Sequence, residues 1–331
     1  MKLRKQDIEK MIHNVLSYEF DDTRCLHFRR FTDSQIEVYK AASQGWFERA
    51  NASASVAFDF VTDSDYIAMK VRLHSGSPEN MFSFDLYIDG ILHEHREMDR
   101  RARAVVGFDL PKGEHRVTIY FPWTKETVVE EVHLTDGACI KEVKKKAKWL
   151  VLGDSLTQGA TAKLTSLTWV NSVARVLDLE VVNQGVGGYR FDAETLDESI
   201  VSYEPDIITV TYGSNDYTIY DYEEDFRRHA SEYIEKLVTL FPNTPMIGVL
   251  PIYHFDQKTQ IKQKYCAYTL NDARRILKEI YQKHDNITVL GETGVPRVPE
   301  VYKDDCVHLN ELGMLFYANA LEKQMKELLK F

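Results

Sequence analysis

Trp149-Leu150-Val151-Leu152-Gly153-Asp154-Ser155-Leu156-Thr157 is an apolar run of strand length that breaks at a glycine and an acid before a hydroxyl residue. Such a run, bounded by turn residues, suits a strand buried on both faces. The rhythm repeats downstream. Strands are predicted at 180–183, 207–212, 245–251 and 287–290. Helical spacing falls at 166–177 (with Ser166 as cap), 192–203, 222–240, 262–284 and 312–329. This β-α alternation predicts a parallel sheet covered on both faces.

Upstream of this run the period changes to two. Residues 53–60, 66–73, 82–88, 102–108 and 115–120 read as strands, separated by turns such as Asp89-Gly90 and Pro111-Lys112-Gly113. Only 5–17 and 33–42 look helical. Many short strands spaced by turns predict an antiparallel sandwich. The basic stretch 141–148 separates the two rhythms, giving a β-sandwich accessory domain at 1–145 and a catalytic domain at 146–331. A length of 331 residues suits two domains at roughly 100–200 residues each.

Composition excludes several classes. With 41 Lys and Arg against 51 Asp and Glu the net charge is −10, which disfavours nucleic acid and anionic membranes as partners. No apolar run approaches the roughly 20 residues a membrane helix needs. The first 18 residues hold no apolar leader core, and the four cysteines (Cys25, Cys139, Cys266, Cys306) are widely spaced. Both point to a cytoplasmic protein with reduced thiols. Asn51-Ala52-Ser53 and Asn286-Ile287-Thr288 match the glycosylation pattern but carry no weight without secretion. The chain is a candidate homo-oligomer.

In a parallel sheet, ligands sit at the carboxyl ends of the strands. Those ends carry Gly153-Asp154-Ser155, then Asn183-Gln184-Gly185-Val186-Gly187-Gly188, then Gly213-Ser214-Asn215-Asp216. Asp305-Cys306-Val307-His308 precedes the last helix. A serine is a poor nucleophile unless a base takes its proton, and that base needs a third group to fix its tautomer. Ser155 is the candidate nucleophile, His308 the base and Asp305 the orienting acid. The N–H groups of Ser155 and Gly188 and the Asn215 amide are candidate oxyanion donors. Gly185 and Gly187 compete with Gly188, which is chosen for lying five residues beyond Asn183. Asp304 competes with Asp305.

These four blocks resemble the SGNH (GDSL-type) hydrolases, named for a Ser in Gly-Asp-Ser, a Gly, an Asn in Gly-x-Asn-Asp and a His in Asp-x-x-His. The resemblance covers about residues 147–331. It implies a three-layer α/β/α, flavodoxin-like fold and ester or thioester hydrolysis with no metal or organic cofactor. The upstream half more faintly resembles the jelly-roll-like sandwich of carbohydrate esterases that remove acetyl groups from plant polysaccharides.

The expected activity is therefore serine-dependent hydrolysis of short acyl esters, acetyl above all, with a small-molecule or oligosaccharide ester as substrate. Lysophospholipase or thioesterase action on longer chains, and a non-enzymatic carbohydrate-binding protein, are the rivals. Tyr217, Tyr220 and Trp123 are candidate substrate-binding aromatics, against the plainer reading of core packing. Gly185 to Arg190 lacks the third glycine of a dinucleotide loop. His93 and His95 share one strand face without further ligands and read as a solvated face.

Overall fold

The computed structural model describes residues 1–78, 82–99, 102–256 and 268–330. The upstream half contains eleven described strands: β1 (Ile12–His13), β2 (Ser17–Phe20), β3 (Leu26–Arg29), β4 (Ala57–Thr62), β5 (Tyr66–Ser75), β6 (Phe82–Ile88), β7 (Ile91–Met98), β8 (Arg103–Asp109), β9 (His115–Tyr120), β10 (Lys125–Leu134) and β11 (Lys141–Glu142). They form two antiparallel sheets. One has the order β1-β4-β9-β6-β7, with β11 also on β4; the other is β2-β3-β10-β5-β8. Alternation drives the packing. On β5, Ile67, Met69, Val71 and Leu73 point inward to meet Phe58, Phe84 and Ile119 of the facing sheet.

Helix α1 spans Lys5–Ile8, α2 Asp33–Ala42 and α3 Gln44–Asn51. The helix expected at 5–17 is thus short, because Ile12 and His13 pair with Phe58 and Ala57 instead. The strand expected from residue 53 begins at Ala57. Ser55 before it takes a left-handed φ of 65° and turns the chain.

The downstream half is a five-stranded parallel sheet of β12 (Ala147–Gly153), β13 (Leu179–Gly185), β14 (Ile207–Val210), β15 (Met246–Val249) and β16 (Ile287–Leu290). Its order is β13-β12-β14-β15-β16, the flavodoxin-like arrangement. Successive residues of β12 serve opposite cores. Leu150 and Leu152 pack beneath α7 (Glu223–Leu240) and α8 (Leu270–Tyr281), whereas Trp149 and Val151 pack beneath α5 (Trp169–Leu177) and α9 (Glu311–Leu329). Both faces are covered, which is why the strand reads as uninterrupted apolar sequence. Two short helices, α4 (Ser155–Gln158) and α6 (Ser214–Ile219), start at strand ends.

Three helical expectations are corrected. Residues 192–203 form two 3₁₀ turns, Ala193–Thr195 and Glu198–Tyr203, each started by an aspartate (Asp192, Asp197) that accepts a backbone N–H. The cap of α5 is Thr168 and not Ser166: its side chain accepts from Asn171 N at 3.3 Å. The helix expected at 262–284 starts at Leu270, and residues 262–267 lie outside the described residues.

The halves meet along β13, an edge strand of the parallel sheet. Val181 N–H donates to Asn14 Oδ1 at 3.0 Å. The buried Arg30 guanidinium donates to the carbonyls of Asn183 and of Gly185 (3.3 Å) on β13. It also donates to Ala52 (2.6 Å), Arg49 (2.7 Å) and Ala50 (3.2 Å) in its own half. Asn183 Nδ2 donates to Ser55 Oγ at 3.0 Å. The unpaired groups of an exposed edge are thereby satisfied by side chains from the sandwich.

Candidate active site

Three strand-end segments and the turn before α9 converge on a cleft of about 330 Å³ that contains Ser155, Gly188, Asn215 and His308. Ser155 opens α4, directly after β12. Asp154 caps that helix by accepting Leu156 N–H at 3.2 Å. His308 Nε2 lies 2.7 Å from Ser155 Oγ, and its Nδ1 lies 2.5 Å from Asp305 Oδ2. The other carboxylate oxygen of Asp305 accepts the N–H groups of Val307 (3.0 Å) and His308 (2.9 Å). Partial burial would raise the Asp305 carboxyl, but the His308 contact and the two N–H groups outweigh it and lower its pKa. The acid beside His308 is thus Asp305 and not Asp304.

The three competing glycines separate by what their N–H groups do. Gly185 N–H donates to Asn183 Oδ1 (2.8 Å) and Gly187 N–H to Gln158 Oε1 (2.8 Å). A Cβ on Gly185 would also fall 2.2 Å from Gln158 N, so that glycine serves close packing. Gly188 has a left-handed φ of 78° and lines the cleft. Ser155 N–H is the first of its helix and has no acceptor within it. Asn215 Nδ2 donates to Tyr189 O at 2.9 Å and lies 3.5 Å from Asp154 Oδ2, so the amide ties the Gly188 loop to helix α6.

The aromatic candidates fall elsewhere. Tyr217 is fully buried in the core beneath α7 and α8, because α6 turns Asn215 and Thr218 to the cleft and Asp216 and Tyr217 inward. Tyr220 stacks on His229 with centroids 4.8 Å apart and does not line the cleft. Trp123 is buried between the halves and donates Nε1–H to Ala162 O at 2.9 Å. It borders a separate cavity of about 610 Å³, which also touches Asp305.

Several cleft residues were not read from sequence. Arg49 reaches in from α3 and donates to Gly187 O at 3.0 Å, and Ser77 and Pro78 come from the loop after β5. His254 and Asp256 follow β15. His254 is detectable by extending the strand-end rule to the fourth strand, whereas Arg49 depends on contacts distant in sequence. His95 Nδ1 pairs with Asp85 Oδ1 at 2.6 Å. Among the described residues no three His, Cys, Asp or Glu side chains are grouped to hold a metal, and no helix is long and apolar enough to cross a membrane.

Comparison with known proteins bears on the fold. A salicylyl-acyltransferase from a tetracycline biosynthetic pathway superposes with a TM-score of 0.81 at 21% identity, covering 96% of this chain and 94% of that one. A GDSL-like lipase from Bacteroides ovatus gives 0.77 at 16% identity, covering 100% and 98%. A family two carbohydrate esterase from Cellvibrio japonicus gives 0.64 at 14% identity, covering 98% and 97%. At these identities the likeness is one of fold, and it extends over both halves. No curated protein matches the chain. The model of the GDSL-like lipase/acylhydrolase family matches residues 151–315, so the downstream half carries a domain of that family.

Proposed function

We propose that the chain is a serine esterase that removes short acyl groups, acetyl foremost, from a carbohydrate alcohol. The observation that carries this reading is the unbroken hydrogen-bonded path from Ser155 Oγ through His308 to Asp305. His308 Nε2 takes the serine proton as Oγ attacks the acyl carbonyl, then returns it to the departing alcohol. Water, deprotonated by the same nitrogen, releases the acid from the acyl-serine. Asp305 holds the imidazole with Nδ1–H directed at its carboxylate. Ser155 N–H, Gly188 N–H and the Asn215 amide stabilise the tetrahedral oxyanion.

A cleft near 330 Å³ lies at the small end of ligand sites, which favours a short acyl group. The carbohydrate assignment rests on the sandwich preceding the catalytic half, as in the Cellvibrio esterase. We assign 1–145 as accessory and 146–331 as catalytic, since sheets change from antiparallel to parallel between β11 and β12.

Hydrolysis of p-nitrophenyl esters from acetate to dodecanoate, with Ser155→Ala beside the wild type, tests the reading. Turnover confined to short chains and abolished in the variant is expected. A preference for long chains moves the substrate to lipids or thioesters. No Ser155-dependent turnover of any ester, alongside specific glycan binding, supports the binding-protein reading instead.

A further inference from the structure

His254 sits in the Ser155 cleft, five residues past the end of β15, where a parallel sheet presents its ligand-binding groups. It is more than nine-tenths buried, and among the described residues neither ring nitrogen has a hydrogen-bond partner. Leaving a buried polar group unsatisfied is costly, so such a group in a cleft calls for a partner from outside the chain. Phe255 N–H donates to Cys306 O at 2.9 Å, and β15 lies on the side of β12 away from β13, so His254 stands beside the Asp305–His308 turn. Arg49 and Gly187, joined by a hydrogen bond, stand on the other side, near Gly188.

That position has a chemical meaning. In an ester cleaved by Ser155 the departing oxygen collects its proton from His308 Nε2, so the alcohol portion occupies the His308 side of the cleft. Burial pushes the His254 pKa down to about 4, so the ring is neutral at pH 7. A neutral imidazole offers one N–H donor and one nitrogen acceptor, which complements a hydroxyl that both donates and accepts. It also adds no positive charge beside His308 as that ring becomes protonated during attack.

We propose that His254 is a substrate-binding residue that hydrogen-bonds a free hydroxyl on the alcohol portion of the ester, selecting polyol and sugar esters over esters of apolar alcohols. This rests on the esterase reading above and adds to it the side of the scissile bond on which selection occurs.

The test compares mono-O-acetylated methyl xyloside with p-nitrophenyl acetate for the wild type, His254→Phe and His254→Gln. In His254→Phe the ratio of kcat/KM for the xyloside ester to that for the aryl ester should fall about tenfold or more, chiefly through KM. His254→Gln, which keeps a donor and an acceptor, should recover most of that ratio. The wild type alone supplies an independent measure: it should prefer the acetylated xyloside to cyclohexyl acetate, whose alcohol has no second hydroxyl. A ratio unchanged in His254→Phe, or a wild type indifferent to the second hydroxyl, overturns the proposal while Ser155-dependent turnover of p-nitrophenyl acetate leaves the esterase reading intact. A wild type that hydrolyses neither ester overturns both.

Discussion

Asp216 adjoins the oxyanion candidate Asn215 but points the other way, and its carboxyl is fully buried. One oxygen accepts Phe191 N–H at 2.9 Å. Burial is the main reason its pKa is pushed up to about 7, and the nearby Asp154, itself raised to about 6 by burial, adds to the effect. The folded protein therefore holds a proton that the unfolded chain releases near pH 4. Between those values the native state binds more protons, so Asp216 makes stability fall as pH rises from about 4 to 7. Asp216→Asn keeps the acceptor for Phe191 and cannot ionise. Its unfolding free energy relative to the wild type should improve by about 1–3 kcal/mol between pH 4.5 and pH 8, measured by urea melts. A difference that does not change with pH would show that Asp216 is ionised throughout.

Helix α6 is six residues long, yet it divides its work by face. Asn215 and Thr218 reach the cleft; Asp216 and Tyr217 fill the core. Asn215→Ala should lower kcat by about 10²–10³, the usual cost of one oxyanion donor. An undiminished kcat removes Asn215 from that role. The strand ends are legible in the sequence because a doubly buried parallel strand leaves an apolar run and then an abrupt polar turn, which locates Ser155 and Asn215, while His308 is located by its three-residue spacing from Asp305 ahead of the last helix. The face of α6 is not, since one turn of helix is too short for periodicity to register, so sequence alone leaves Tyr217 between the cleft and the core. Strand β10 escaped notice for a related reason. Its pairing with β5 shifts register between Val129 and Glu131, which interrupts the alternation that marks a strand. Helix α3 carries Gly45 and few apolar residues. It is started by Ser43 and packed through Trp46 against Tyr189, contacts that only the folded chain supplies.

Across the whole molecule the two halves share charges as well as backbone partners. Asp59 of β4 is buried and accepts Arg116 Nε at 2.9 Å and Nη2 at 2.7 Å, while Arg116 also reaches Asp178 at 2.7 Å in the downstream half. Lys145 closes the group on Asp59. Burial alone would raise the Asp59 carboxyl, but Arg116 and Lys145 hold it down at about 2. A lowered carboxyl contributes stability above pH 4 that disappears as pH falls toward 2. Asp59→Asn should therefore cost about 3 kcal/mol at pH 7, since it leaves Arg116 and Lys145 to share the one carboxylate of Asp178, and the gap to the wild type should narrow below pH 4. A constant gap down to pH 2.5 would mean that the charge is not what matters. The two-part organisation was legible from the change of period near residue 141, but the depth of the junction was not, because Arg30, Asn14 and Asp59 resemble ordinary surface polar residues in the sequence.

Arg30 carries that junction into the life history of the gene. A linker that merely tethered two folded units would let either be traded by recombination. Here one guanidinium closes the edge of the catalytic sheet and holds the carbonyl of Arg49, whose side chain enters the Ser155 cleft. A chimera that joins this catalytic half to a foreign sandwich inherits an open strand edge and an altered cleft wall together, so solubility and substrate choice are heritable only as a pair.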